Sequence, residues 1–359
     1  MLKKILGLAA VALCLMFNVA GAAAKQPVIL DADMVDWFDD GVAMLMLAKS
    51  PKIELLGVTT GIGNTWAETG TASALRQLEG IKAPDIPVYV GVNKPINKNR
   101  FKNIADETRL FGRGKDSHMG AAGYPEPASW QAEYRKCYGE EPTYSPKKEG
   151  AVDFIIRTIK ARPHEVTIVA IGAGGNLAAA VQKAPEIAPL VKRVIYMCGA
   201  FFQQGNVTPA AEFNVWIDPE AEKIALRAPF GEQVIVPLDA CEKIHITWEK
   251  YFNLKKRVKS PLFQKLIKTH WMTESFEKRQ NPADNYVWDV LSAAIAIDPT
   301  IVTSEVTMPV DVNDVFSPSY GQTLAYKGVG PEGTQKARII LSVDEKKLWQ
   351  MVYTLADKL

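Results

Sequence analysis

Five aspartates crowd into ten residues directly after a short apolar run: Val28-Ile29-Leu30 leads into Asp31, Asp33, Asp36, Asp39 and Asp40 of the segment DADMVDWFDD. Like charges within a few ångströms raise one another's pKa or demand a cation. A chain can keep such a segment at a strand end only if protons or a positive ion offset the repulsion. Oxygen ligands alone select a hard cation, Ca2+ or Mg2+, and no paired His or Cys stands nearby to hold zinc. The spacing is not that of an EF-hand loop. Counting from Asp36 places Gly41 at the sharp turn, but Phe38 and Leu47 then fall where ligands are needed.

The rest of the chain alternates short apolar runs with segments of helical period, the pattern of an α/β sheet. Strands are expected at Val28–Leu30, Ile53–Val58, Val88–Val90, Val166–Ile171, Val194–Met197 and Val234–Val236. Helices are expected from Val42, along the face Thr71, Ala74, Leu75 and Leu78, and around Phe154, Ile155 and Ile159. Val166–Ile171 is apolar except for Thr167, as in a central parallel strand covered on both faces. Residues 93–147 read as a long irregular polar insertion, either a functional loop or lid or a surface excursion. Residues 243–280 read as helical, aromatic and basic. No repeat or linker divides the chain, so one domain is expected over residues 25–359.

Residues 1–24 have the layout of a secretory signal peptide: Lys3-Lys4, an apolar stretch from Ile5 to Val19, then Ala20-Gly21-Ala22-Ala23-Ala24. The expected product is periplasmic or secreted. That segment carries two of the 42 basic residues and none of the 40 acids, so the remainder is formally neutral. A neutral chain has no global electrostatic pull toward nucleic acid or anionic lipid, and no later run is long enough to span a bilayer. Cys14 belongs to the leader, and Cys137, Cys198 and Cys241 are too few and too dispersed for a disulfide framework. Cys198, after Val194–Met197, reads as a buried small residue.

Open α/β sheets bind ligands beyond the carboxyl ends of their strands, so other strand ends should add to the acidic cluster. Ile171-Gly172-Ala173-Gly174-Gly175-Asn176 follows the central strand, and its glycines allow close backbone approach. It lacks the spacing of a dinucleotide fingerprint. Asn206, Glu212 and Asn214 lie in GNVTPAAEFNVW, and Asp289 opens a helix in NYVWDVLSAA.

Taken together, the acidic opening, the GNVTPAAEFN stretch with its following DPEA, and the Trp288-Asp289 pair resemble the nucleoside hydrolases, over most of residues 27–342. The resemblance implies a single-domain α/β fold with an open, mostly parallel (mixed) sheet flanked by helices. It implies a catalytic Ca2+ at the strand ends, held by Asp33, Asp40, Asp289 and the backbone carbonyl of Ile171. Asp33 becomes the general base. Asp39, Asn206, Glu212 and Asn214 are expected to hold the ribose hydroxyls, Asn64 to line the pocket and Met197 to form its floor.

Cleavage of an N-glycosidic bond develops positive charge on the sugar, which a carboxylate-rich site stabilises. The resemblance places Trp288 where the purine-specific branch has tryptophan and the inosine-uridine type has histidine. Stacking on the base is implied, with Trp37, Trp66 and Trp130 as candidates for a second aromatic. Arg113 and His118, in GRGKDSHMG, are candidate base contacts. The expected activity is Ca2+-dependent hydrolysis of ribonucleosides, purine-preferring. Two alternatives are a uridine or modified-nucleoside hydrolase, and a non-catalytic extracytoplasmic ribose- or nucleoside-binding protein. A homo-oligomer is implied by the resemblance alone.

Overall fold

The structure is a computed structural model that describes residues 24–114, 117–282 and 285–359. All but the last residue of the expected leader lies outside the described residues. Nine strands form one sheet: β1 (Gln26–Ala32), β2 (Ile53–Thr60), β3 (Val88–Val90), β4 (Thr167–Ala170), β5 (Arg193–Met197), β6 (Gln233–Val236), β7 (Val302–Val312), β8 (Thr323–Ala325) and β9 (Gln335–Val343). Their order is β3-β2-β1-β4-β5-β6-β9-β7-β8. All pairings are parallel except those of β7 with β8 and β9. The antiparallel end, β7 to β9, was not among the expected strands.

The helices between the strands are α1 (Asp40–Lys49), α2 (Ala67–Gly80), α3 (Arg100–Phe111), α4 (Trp130–Tyr138), α5 (Ala151–Ala161) and α6 (Gly175–Lys183). Then come α7 (Phe213–Ile217), α8 (Pro219–Arg227), α9 (Leu238–Cys241), α10 (Trp248–Arg257), α11 (Pro261–Thr269), α12 (Thr273–Glu277), α13 (Asp289–Ile297) and α14 (Glu345–Ala356). Among the described residues no helix is long and apolar enough to cross a membrane.

Alternation along the central strands explains why they are apolar throughout. Val28 and Leu30 of β1 and Val169 of β4 enter one core, with α1, α2, α13 and α14. Ile29 and Ile168 enter the other, with α5, α6 and α8. A strand whose two faces are both covered has no solvent side to mark in sequence. Chain order reverses beside β1, which pairs with β2 on one edge and β4 on the other. Beyond the carboxyl ends of β1 and β4, at such a reversal, is where open sheets bind ligands.

Residues 93–147 are not irregular. They contain α3, α4 and a 3-10 turn at Gly120–Gly123. The buried Arg100 side chain of α3 donates through Nε and Nη2 to the Trp216 carbonyl at 3.0 and 2.8 Å. Its Nη1 pairs with the buried Glu107 at 2.6 Å, and Glu107 accepts the Trp216 indole N–H at 2.8 Å. Both charges therefore find full partners, which is what makes their burial tolerable, and α3 is fastened to α7. The three cysteines Cys137, Cys198 and Cys241 are free, and Cys198 and Cys241 are buried.

Candidate active site

The acidic segment divides its aspartates between scaffold and site. Asp31 is buried and accepts from the Thr59 hydroxyl at 2.6 Å and the Asn176 amide at 2.7 Å, tying β1 to β2 and α6. Asp36 accepts from Ser73 of α2 at 2.6 Å and from the Tyr138 hydroxyl at 2.9 Å. These two are consumed by structure. Asp33, Asp39 and Asp40 instead gather beyond the end of β1, where Asp289 joins them from α13.

One carboxylate oxygen from each of Asp39, Asp40 and Asp289 lies within 4.8 Å of the others. Asp39 Oδ2 accepts the N–H of Trp288 at 2.9 Å and of Asp289 at 2.7 Å, so it caps α13 from 250 residues away. Asp33 is fully buried, and its Oδ2 accepts the Asn64 N–H at 2.5 Å. Asn64 Nδ2 donates to Asp40 Oδ2 at 3.2 Å, bridging the two acids. Two glycines make room: a Cβ on Gly63 would sit 2.0 Å from Asp33 Oδ2, and one on Gly172 would sit 3.0 Å from Asp33 Oδ1.

Electrostatically the cluster is unbalanced. Among the described residues, none of these four carboxylates takes part in an ion pair. Burial pushes the Asp33 pKa up to about 7. Burial and the charges of its acidic neighbours hold Asp40 and Asp289 well above the ordinary carboxylate range, and burial raises Asp39 as well. Asp33 Oδ1 and Asp40 Oδ1 are buried without a hydrogen-bond partner. Buried acceptors are ordinarily satisfied. An all-oxygen set with two orphaned carboxylate oxygens fits a hard divalent cation.

The residues expected on the sugar side are linked to the strand ends by Asn214 on α7. Its Nδ2 donates to the Ile171 carbonyl at 3.2 Å and the Met197 carbonyl at 2.9 Å, drawing together the ends of β4 and β5. Met197 is buried there. Glu212 caps α7, accepting from Asn214 N at 2.9 Å and Val215 N at 3.2 Å, and also accepts from Gly199 N at 2.8 Å. Burial raises its pKa to about 7. Asn206 is exposed and its Oδ1 accepts from Phe213 N at 2.9 Å. The side chains of Glu212 and Asn206 thus hold backbone in this arrangement.

Trp288 is half-buried beside Asp289, edge-on to Tyr286 at 5.9 Å, and its indole N–H is buried without a partner. Trp37 is not available for stacking on a ligand: it is buried against Phe38 and Phe263. The Trp66 indole donates to the Tyr124 carbonyl at 2.9 Å, with Lys94 over its ring. Trp130 packs on the main core from α4. His118 is exposed; its Nε2 lies 3.1 Å from Asn64 Oδ1, and its ring lies 4.8 Å from that of Phe213. Because Asn64 Nδ2 is turned to Asp40, its oxygen is the atom that accepts from His118. The sequence signal for Gly63 and Gln77 was absent, since neither stands in a recognisable spacing. Gln77, in α2, accepts from Trp37 N at 3.2 Å and donates to the Val35 carbonyl at 3.2 Å, holding the acidic loop.

A mostly parallel sheet with a cluster of acids at its topological switch defines an α/β protein with a candidate cation and small-ligand site at the strand ends. Residues 28–350 match the profile of the inosine-uridine preferring nucleoside hydrolases, and the chain belongs to that family. It is 30% identical over 335 residues to the pyrimidine-specific ribonucleoside hydrolase RihB of Escherichia coli O9:H4, covering 91% of this chain and 96% of that one. It is 37% identical over 219 residues to an uncharacterized protein of Schizosaccharomyces pombe, a match spanning 61% of this chain and 63% of the relative. The solved structure of a plant nucleoside hydrolase, the PpNRh1 enzyme, superposes with a TM-score of 0.75 at 26% identity, covering 93% of this chain and 99% of that one.

Proposed function

We propose that the chain is an exported, Ca2+-dependent ribonucleoside hydrolase with purine preference, converting a nucleoside and water to free base and ribose. The observation that carries the reading is the pair of orphaned oxygens on Asp33 and Asp40 beside Asp39 and Asp289. Asp33, Asp40 and Asp289, with the Ile171 carbonyl, would hold the ion. Ca2+ suits oxygen ligands drawn from loops and helix ends, because it tolerates flexible coordination. When bound, the cation supplies a Lewis-acid centre that lowers the pKa of water.

The chain's own residues do the remaining work. Asn64 N–H fixes Asp33 through Oδ2, which leaves Oδ1 free to accept a proton from the attacking water. The sugar is oriented by polar groups from separate elements, Asp39, Asn206, Glu212 and Asn214, so that its anomeric carbon faces that water. The density of carboxylates favours the positive charge that develops on the ribose. Trp288 offers an aromatic face to the leaving base, and its unpartnered indole N–H is a donor awaiting an acceptor.

Purine preference rests on Trp288. Uridine or another pyrimidine nucleoside is the second reading, favoured by the pyrimidine-specific name of the E. coli relative. Purified protein beginning at Lys25 is incubated with inosine, adenosine, guanosine and uridine, with Ca2+ or a chelator, and the released base is measured chromatographically. The reading expects base from the purine nucleosides with Ca2+ only. Release from uridine alone supports the second reading, and a bound but intact nucleoside means a binding protein. Export is tested by amino-terminal sequencing of the extracytoplasmic protein, where Lys25 is the expected first residue.

A further inference from the structure

We propose that His270, in a helical segment that supplies none of the residues assigned above, is a positioning residue that sets the geometry of the cation cluster by gripping the backbone of the acidic loop. The inference rests on the reading that Asp40, with Asp33 and Asp289, holds a cation.

His270 follows α11 and precedes α12. Its Nε2 lies 3.3 Å from the Phe38 carbonyl oxygen, across 232 residues of sequence. The ring's other nitrogen, Nδ1, accepts the Met272 N–H at 3.4 Å. A neutral imidazole that accepts at one nitrogen carries its proton on the other. Nε2–H is therefore the donor, and Phe38 the acceptor. Burial favours this neutral form, pushing the His270 pKa down to about 4.

The Phe38 carbonyl belongs to the peptide unit that enters Asp39, so its direction fixes where the Asp39 and Asp40 side chains begin. The loop needs such a grip. Trp37 has φ of 64°, a left-handed backbone that a bulky side chain adopts only when its surroundings impose it. Two elements do so. From α2, Gln77 holds the Trp37 N–H and the Val35 carbonyl, and a Cβ on Gly41 would lie 2.0 Å from Gln77 Oε1. From the opposite direction, α11 sets Phe263 6.0 Å from the Trp37 ring and presents His270 to Phe38. Gln77 thus restrains the loop at Val35 and Trp37, and His270 restrains it at Phe38, directly before Asp39 and Asp40. The helical segment 248–277 accordingly has a function beyond packing: it is the backstop of the cation site.

The test compares His270→Asn with His270→Gln, two polar substitutions of which only the longer can place an amide N–H near the Nε2 position. Calcium alone is titrated calorimetrically into each purified full-length mature protein, with circular dichroism in chelator to confirm the fold. Outer-shell partners of ligands typically govern affinity by roughly 10–100-fold. We expect the Asn variant to bind Ca2+ at least about tenfold more weakly, and the Gln variant to recover most of that loss. Nucleoside turnover by the Asn variant should return at saturating Ca2+ with KM for nucleoside little changed, a split that general destabilisation does not produce. If the Asn variant binds Ca2+ within twofold of the unsubstituted protein, or Gln recovers nothing, the positioning role is wrong. If the unsubstituted protein binds no Ca2+ at all, it is the cation reading that fails, which is a different result.

Discussion

Asp39 and Asp289 are joined by a carboxylate-to-backbone hydrogen bond of 2.7 Å that makes one acid of the cluster the cap of the helix bearing another. The contact uses only Asp39 Oδ2, which also takes the Trp288 N–H. An asparagine at 39 can still accept there through its amide oxygen, but it removes one like charge from the group. Asp39→Asn is therefore expected to melt in chelator at the same temperature as the unsubstituted protein or slightly above it. Its base release with Ca2+ should fall at least about a hundredfold if the carboxylate serves the positively charged transition state. Differential scanning calorimetry and chromatographic product assays check the two halves.

Asp33→Asn separates chemistry from scaffold. The amide oxygen can still receive the Asn64 N–H, so the fold should persist, whereas the proton acceptor is lost. Loss of a positioned general base typically costs about 10²–10⁴-fold, and kcat should fall by that order under saturating Ca2+. Retention of full kcat would remove Asp33 from its assigned role.

Cation binding should become tighter as pH rises. The acids that would coordinate it have raised pKa values, about 7 for Asp33 and higher than ordinary for Asp40 and Asp289. Below those values protons occupy the ligand oxygens and must be displaced. Calorimetric titrations at pH 6, 7 and 8 should show Ca2+ affinity rising and proton release falling. In thermal melts at pH 8, Ca2+ at a hundredfold excess over Kd should add about 2.7 kcal/mol of stability.

A second acid, remote from that cluster, gives a stability prediction with the opposite sense of pH. Glu222 in α8 is fully buried, and burial outweighs its contacts with Cys198 and the Gly174 backbone to raise its pKa to about 8. Between its ordinary value of 4.5 and about 8, the folded chain keeps a proton that the unfolded chain releases. Stability is then greatest below the ordinary value and declines as pH rises, on the order of 1 kcal/mol per pH unit. Glu212 and Asp218, each raised to about 7, act in the same direction. Glu222→Gln should flatten, without abolishing, the fall in urea-unfolding free energy between pH 5 and 8. An unchanged slope would mean that Glu222 is not held neutral.

The parallel half of the sheet was readable because β1 and β4 are apolar on both faces, and their ends carried the acids and glycines that mark a ligand crevice. Which of the five aspartates to set apart came from the family resemblance and not from their spacing. Asp31 and Asp36 differ from Asp33 and Asp40 only through partners supplied by Thr59, Asn176, Ser73 and Tyr138, all distant in sequence. The helix α3 was hidden for a related reason. Its buried face at Arg100, Ile104 and Glu107 has helical spacing, but two of the three residues are charged and neutralise each other inside. A polarity pattern counts those as surface. His270 left no trace at all, because a lone histidine in a basic helical stretch says nothing about a carbonyl 232 residues earlier.

The separation of 250 residues between Asp39 and Asp289 also dictates an order of assembly. The amino-terminal acids are synthesised first, and the carboxyl-terminal third then brings Asp289, a further acid that their charges oppose. A polypeptide truncated before α13 would keep most of its parallel strands and still lack the means to retain an ion, so metal uptake reports that the whole chain has found its place.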